Sequence, residues 1–406
     1  MRTVKLLIAL GLITLATACS VELTQTSAVP TAAPANTEPP AATHTPLPAT
    51  DTPEPTAVTD AAPQADVTPT DAPTPTAALP GFDFPLGDAS YLVAEILPGW
   101  ESLGQSGKLT FLSLYPDGQS VLVFDIAAGE LSTLFIAPPG TWVLAASTHP
   151  DRSNILLAYA PPVEEGQVQY GYSDLYLLPA GGGDPQPLLE TTAEQEAFFS
   201  AFYAPDGASI FYSWFFVDTA VDYGFRYHIN RLDTTTGETA TIIEDAFWES
   251  VSRDGQKIVY VTFNPDGGTD ELRMANTDGT GVERVLDPAV WPTVDAPFFS
   301  PDREYVYFSA VSTPPPALSW WERLLGVHIA SAHNVPSDWW RIHLATGEVT
   351  RITEIFDQGM FAAFSPDGTK IAFISSTGLW VMNPDGSDLV QIIASADLYG
   401  NLEWIP

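Results

Sequence analysis

The chain has 406 residues, 37 of them proline and 29 glycine, and it carries 50 acidic against 15 basic side chains. A formal net charge of −35 repels phosphate backbones and argues against a nucleic-acid binder. A single cysteine rules out an intrachain disulfide, yet 45% hydrophobic residues are enough for a large core.

The first residues read as an export signal. Arg2 and Lys5 form a basic start, and Leu6 to Leu15 is an apolar run. It is about half the length that spans a bilayer and suits a signal peptide over residues 1–18. Ala16-Thr17-Ala18-Cys19 follows, and it resembles a bacterial lipobox, in which cleavage exposes a cysteine that carries acyl chains. It departs from that pattern at Ala16, where leucine is commoner. Ala16-Thr17-Ala18 also suits ordinary secretion. Both routes cut before Cys19, and the position of the only cysteine at the cut favours lipidation there.

Residues 19–80 then form a linker of Ala, Pro, Thr and acidic residues, with Thr-Pro and Pro-Thr steps such as Thr45-Pro46 and Pro73-Thr74. Such a segment buries too little apolar area to offset chain entropy, so a disordered, extended stalk is expected. Residues 81–107 are a short lead-in.

Beyond residue 108 one unit repeats: an apolar strand, a Pro-Asp-Gly-like turn, and another apolar strand. The turns are His149 to Arg152, Ala204 to Gly207, Ser252 to Gly255, Ser300 to Arg303 and Ser365 to Gly368. Proline presets the turn, aspartate bonds its own backbone, and glycine accepts the exit geometry. Asp206 and Asp254 are 48 residues apart, as are Asp254 and Asp302, the period of a four-stranded propeller blade. A second hairpin recurs six times, at Ala127 to Glu130, Ala180 to Asp184, Thr235 to Glu238, Asn276 to Gly279, Ala345 to Glu348 and Asn383 to Gly386. Six hairpins predict six blades. Only five first-type turns exist, and the chain ends Leu402-Glu403-Trp404-Ile405-Pro406, like a strand that stops at its turn. That strand is expected to be the innermost of the first blade, whose other strands come from about Lys108 to Phe135. The ring would thereby close and hide its edges.

The run Ser365-Pro366-Asp367-Gly368-Thr369-Lys370-Ile371-Ala372-Phe373 resembles the TolB-type, WD-like repeat. The resemblance covers about residues 108–406 and implies an all-β, six-bladed β-propeller. TolB has an α/β domain before its propeller, and here the stalk and lead-in take that place. The Tol–Pal partners therefore do not carry over. The same repeat occurs in prolyl-oligopeptidase-like enzymes, which need a G-x-S-x-G elbow. The nearest string, Gly104-Gln105-Ser106-Gly107, lacks its last position and has no hydrolase domain around it.

No catalytic residue, metal site or cofactor is predicted. The Asp/Gly loops Asn264 to Asp270, Asn276 to Gly281 and Asn383 to Asp388 lack a full calcium-ligand set and read as ordinary turns. His328 and His333 are too far apart in sequence to stack on one helical face. The most individual feature is an insertion over residues 313–336 in blade five. It opens Thr313-Pro314-Pro315-Pro316 and continues into a predicted helix from about Trp320 to Ser331, with Ser319 and Glu322 as a capping box. Trp320, Trp321, Leu324 and Leu325 make it strongly apolar, and Trp339 and Trp340 follow. These six residues are the candidate partner-contact patch, set against the alternative that the helix simply packs on its own propeller.

The reading is a lipid-anchored propeller of the bacterial cell envelope, facing outside the cytoplasm. It would be a monomer and a non-catalytic scaffold for a protein or peptide partner. The alternative is a cell-surface carbohydrate-binding module or carbohydrate-active enzyme, which convergent carboxylates with raised pKa would favour.

Overall fold

Six antiparallel sheets repeat one pattern in the computed structural model, which describes residues 81–115, 118–161, 172–192, 195–311 and 335–406. Numbered in the order of their second strands, the blades begin with an innermost strand. In blades 2 to 6 these are Trp142–Thr148, Glu196–Tyr203, Ala246–Val251, Val294–Phe299 and Phe361–Phe364. In blade 1 the innermost strand is the C-terminal one, Leu398–Ile405, paired antiparallel with Lys108–Tyr115. Gly118–Asp125 and Glu130–Ile136 follow outward. Both ends of the propeller thus meet in one sheet.

The second strands read as unbroken apolar runs because both faces of each sheet are covered by neighbouring blades. Ile155 to Ala160, Ile258 to Val261 and Ile371 to Ile374 are each fully buried. Six hydrophobic clusters result, one between each adjacent pair of blades. Between blades 1 and 2, Leu112, Val121 and Val123 meet Val143, Ile155 and Leu157. Between blades 6 and 1, Ile374, Leu379 and Ile393 meet Leu109, Phe124 and Trp404. The outermost strand of blade 3, Thr239–Glu244, is largely exposed.

The turn chemistry recurs as the sequence implies. Ser252 Oγ donates to Asp254 Oδ1 (2.7 Å) and accepts from the Lys257 N–H (2.9 Å). Ser300 with Asp302 and Ser365 with Asp367 repeat the arrangement. These hydrogen bonds hold the Asp254 and Asp367 carboxyls below the usual range. Four of the six outer hairpins fall into two kinds. A Cβ on Gly386 would lie 1.8 Å from the Ile352 carbonyl oxygen of blade 5, and one on Gly279 would lie 2.2 Å from that of Ile242 in blade 3. Gly237 and Gly347 face open space. The Asn-x-Asp-Gly hairpins thus abut the preceding blade, whereas the Thr-Gly-Glu hairpins do not.

The lead-in is more than a spacer. Phe84 packs in the blade 1–2 cluster, and Gly87 bridges to Thr133 in the outer strand of blade 1. Tyr91 Oη donates to Ser120 Oγ (2.9 Å). Glu95–Ile96 then adds a fifth strand outside Val390–Ala394 of blade 6, and Trp100 lies over Gly129 and edge-on to Phe124. Residues 84–100 therefore strap across the junction of blades 1 and 6, a role the sequence reading did not foresee. Among the described residues, no helix is long and apolar enough to cross a membrane.

Candidate binding face

The two ends of the ring differ. One end carries the first-type turns and the outer hairpins, all tight. The other carries the loops between second and third strands, including Asp218 to Gly224 and Phe263 to Glu271, together with the links between blades. Longer loops on a rigid scaffold are where binding residues concentrate, so this loop end is the candidate face.

Trp320, Trp321, Leu324 and Leu325 lie outside the described residues, as does Cys19. Trp339 and Trp340 are described, and they correct the predicted patch. They are neighbours on the strand Ser337–His343, so their side chains point to opposite faces of the sheet. Trp339 is fully buried among Phe298, Met360 and Phe373 between blades 5 and 6, and it presents no surface to a partner. Trp340 is half-buried on the blade 4 side, edge-on to Trp291 at 4.9 Å. Tandem tryptophans in a two-faced blade are divided between two interfaces.

What the base of the insertion does expose is Phe356, which the sequence reading missed. Asp338, wholly buried, is the organiser. Its Oδ2 pairs with Arg351 Nη2 at 2.6 Å. Its Oδ1 accepts from the Ile355 N–H (2.7 Å) and the Thr353 hydroxyl (3.2 Å). The loop so held places Phe356 in the left-handed region (φ 51°), with the residue 55% exposed. The Arg351 guanidinium lies 5.0 Å from the Phe356 ring centre and 5.9 Å from that of Trp340. Trp340, Arg351 and Phe356 thus form a π–cation–π series that ends in solvent. Aromatic and arginine side chains so placed are the composition of interface hot spots.

A second aromatic series runs from blade 3 through blade 4 to blade 6. Tyr223 and Phe225 meet Phe263 at 5.6 and 5.3 Å. Tyr227 meets Phe263 and Phe247 at 4.9 and 5.2 Å. Phe247 meets Trp248 at 5.6 Å. Trp248 in blade 4 then stacks on Phe361 in blade 6, at 5.4 Å and 23° between planes. Both residues are half-buried.

Three carboxyls are raised. Burial pushes Glu249 up to about 8, the Ser213 hydroxyl at 2.6 Å opposing it in part. Burial also pushes Glu403 up to about 6, and Asp270 up to about 6 with help from neighbouring Asp295. They do not form one constellation. Glu403 is on blade 1 and accepts from the Thr148 N–H of blade 2 (2.9 Å). Glu249 is on blade 4 and turns to blade 3, where its Oε1 has no hydrogen-bond partner among the described residues. Asp270 belongs to a loop. The sequence signal for Glu249 was available: a carboxylate inside an apolar inner strand, Ala246–Val251.

No family model matches the chain, and no curated protein matches it. Solved structures do. A structure from Agrobacterium tumefaciens assigned to TolB is 18% identical with a TM-score of 0.49, covering 74% of this chain and 100% of its own. TolB from Acinetobacter baumannii is 15% identical with a TM-score of 0.40, over 73% and 70% of the two chains. An oligogalacturonate lyase in complex with manganese is 13% identical with a TM-score of 0.42, over 67% and 70%. Six antiparallel sheets, five of four strands and one of five, define a six-bladed β-propeller. The likeness is one of fold alone, and the neighbours include an enzyme.

Proposed function

We propose that the chain is an exported lipoprotein, cleaved after residue 18 and acylated at Cys19. Residues 19–80 would be a stalk that holds the propeller outside the cytoplasm in the bacterial cell envelope. The propeller is a non-catalytic scaffold whose loop end binds a protein or peptide partner. The observation that supports a binding face is Phe356: a large apolar side chain exposed to water in a backbone conformation that bulky residues avoid, fixed there by a buried aspartate. Outliers of this kind cluster where a surface is used. Trp340 and Arg351 stand behind it, and the insertion with Trp320, Trp321, Leu324 and Leu325 departs from the same end of blade 5 and would add to it.

The test is capture from native envelope extract, with wild type compared with Phe356→Ala and with a chain whose residues 313–335 are a Gly-Ser linker. Capture by wild type that both variants lose supports the scaffold. A linker variant that fails to fold would make the insertion part of the core and remove it from the patch. For the anchor, a fatty-acid analogue should label wild type and not Cys19→Ala. Unlabelled wild type found free in the medium would refute lipidation.

A second reading, a carbohydrate-binding module or carbohydrate-active enzyme of the cell surface, draws on the raised Glu249 carboxyl. Glycoside hydrolysis ordinarily needs two carboxyls flanking one bond, and Glu403 is already engaged by blade 2. Turnover of envelope glycans by wild type and not by Glu249→Gln would replace the scaffold reading.

A further inference from the structure

The seam that closes the ring sits directly behind its N-terminal attachment. The closing strand Leu398–Ile405 is at the edge of its sheet, and among the described residues it pairs with Lys108–Tyr115 alone. Lys108, opposite Ile405, begins that partner strand, so a tether joined there would strip the strand from its first pair onward. Once it left, the closing strand would have no ladder. Residues 84–100 stand in front of this point and cross three blades in turn. Phe84 is buried between blades 1 and 2, and Pro85 lies where a Cβ on Gly182 of the blade 2 hairpin would come within 2.6 Å. Gly87 exchanges two main-chain hydrogen bonds with Thr133 in the outer strand of blade 1, at 2.7 and 3.0 Å. Glu95–Ile96 pairs with the outer strand of blade 6, and the Leu97 N–H donates to the Ile392 carbonyl at 2.9 Å. Among the described residues, only the sheet of blade 6 carries such a fifth strand. The added cover is thus placed on the two blades that flank the seam. It is also lightly held. Its strand is two residues long, and Leu86, Val93 and Ile96 are 42%, 82% and 37% exposed. Segments with few buried contacts open at lower free energy than the blades beneath them.

We propose that residues 84–100 are a tension-relief strap, which carries load arriving from the N-terminal side and yields before the closing strand does. This rests on the anchored-stalk reading, which supplies the load, with a partner held at the loop end on the other side. While the strap is seated, tension enters the fold at Phe84 and Gly87 and spreads over blades 2, 1 and 6 instead of pulling on Lys108. When it peels, residues 84–107 are released, up to about 80 Å of chain at about 3.4 Å per residue. Between ends held at a fixed distance that slack lowers the tension, and the ring is spared. The strap can reseat when the chain relaxes, because the edges it binds belong to blades that stay folded. The blade 1–2 cluster keeps Leu112, Val121, Val143 and Ile155 without Phe84, and the blade 6–1 cluster keeps Leu109, Phe124, Ile374 and Trp404 without Trp100.

The test stretches single molecules of the full-length chain in detergent, made without export so that the Cys19 thiol is free. DNA handles are attached at Cys19 and at Val290→Cys, an exposed site in the link between blades 4 and 5. We expect an early step of up to about 80 Å that reverses on relaxation, followed by opening of the ring at higher force. Trp100→Ala combined with Tyr91→Phe loosens the strap and should shift the early step to lower force while the later one stays in place. A single step in which strap and ring come apart together would overturn the proposal. So would a later step that shifts as far as the early one in the double variant, since the strap would then be part of the core. Fatty-acid labelling of the exported chain keeps the two readings apart. Unlabelled wild type would remove the load and both readings with it, whereas a single rupture step in a chain that takes the label would overturn the strap alone.

Discussion

Asn401 grips both backbone groups of Ala146. Its Oδ1 accepts from the Ala146 N–H at 3.1 Å, and its Nδ2 donates to the Ala146 carbonyl at 2.6 Å. The inner edge of blade 2, which no further strand covers, is thereby satisfied by a side chain from the last strand of blade 1. The hydroxyl of Tyr399 adds a bond to the Val143 carbonyl at 2.7 Å.

The first prediction follows from that grip. Asn401→Leu strips two backbone partners and should lower unfolding free energy by about 1–3 kcal/mol, read as a shifted denaturant midpoint with unchanged slope. Deleting Asn401 to Pro406 also removes Leu402 and Trp404 from the blade 1–6 core and opens sheet edges. Soluble yield or thermal stability should collapse. A deletion variant that melts like wild type would show that the last strand does not hold the ring.

Glu249 should make stability depend on pH. Its carboxyl rises from an ordinary value of 4.5 to about 8 in the folded protein. Between those values the folded chain holds a proton that the unfolded chain has released. Stability therefore falls as pH rises across that window, by about 1.4 kcal/mol per unit from this group, and levels off above it. Glu249→Gln keeps an acceptor for Ser213 and should flatten that part of the profile. An unaltered profile in the variant would mean the carboxyl is ionised when folded.

Asp338 and Phe356 should separate stability from binding. Phe356→Ala changes an exposed side chain and should move stability by no more than about 0.5 kcal/mol while partner capture is lost. Asp338→Ala leaves Arg351 without its carboxylate and the Ile355 N–H without its acceptor. It should cost about 3 kcal/mol and lose capture as well. Capture unaffected by Phe356→Ala would remove this patch from the interface.

Two hairpin glycines should respond unequally to alanine. Gly347 (φ 72°) faces open space, so Gly347→Ala meets only the left-handed penalty, about 1–2 kcal/mol. Gly386 (φ 86°) meets that penalty and a carbonyl oxygen 1.8 Å from the new Cβ. Gly386→Ala should be at least twice as destabilising by thermal melting. Equal losses would mean that the hairpin can lift off blade 5 freely.

The repeat is written in the chain itself. Turn chemistry is local, so the Ser-Pro-Asp-Gly units and the six hairpins were legible from spacing alone. The missing sixth turn pointed to a last strand that pairs with Lys108–Tyr115. Apolar runs such as Ile371 to Ile374 also announced strands covered on both faces. Where those faces meet depends on the assembled ring. Trp339 and Trp340 are adjacent in sequence, yet the pleat buries one between blades 5 and 6 and turns the other to Trp291. Trp248 and Phe361 lie in different repeats, and only the ring geometry and a bulge stack them. Phe356 reads as one apolar residue in a loop, and its exposure follows from hydrogen bonds to Asp338, eighteen residues earlier. Local pattern encodes the blades because strands and turns are set by neighbours in the chain. The candidate face is set by contacts between blades, which no local pattern records.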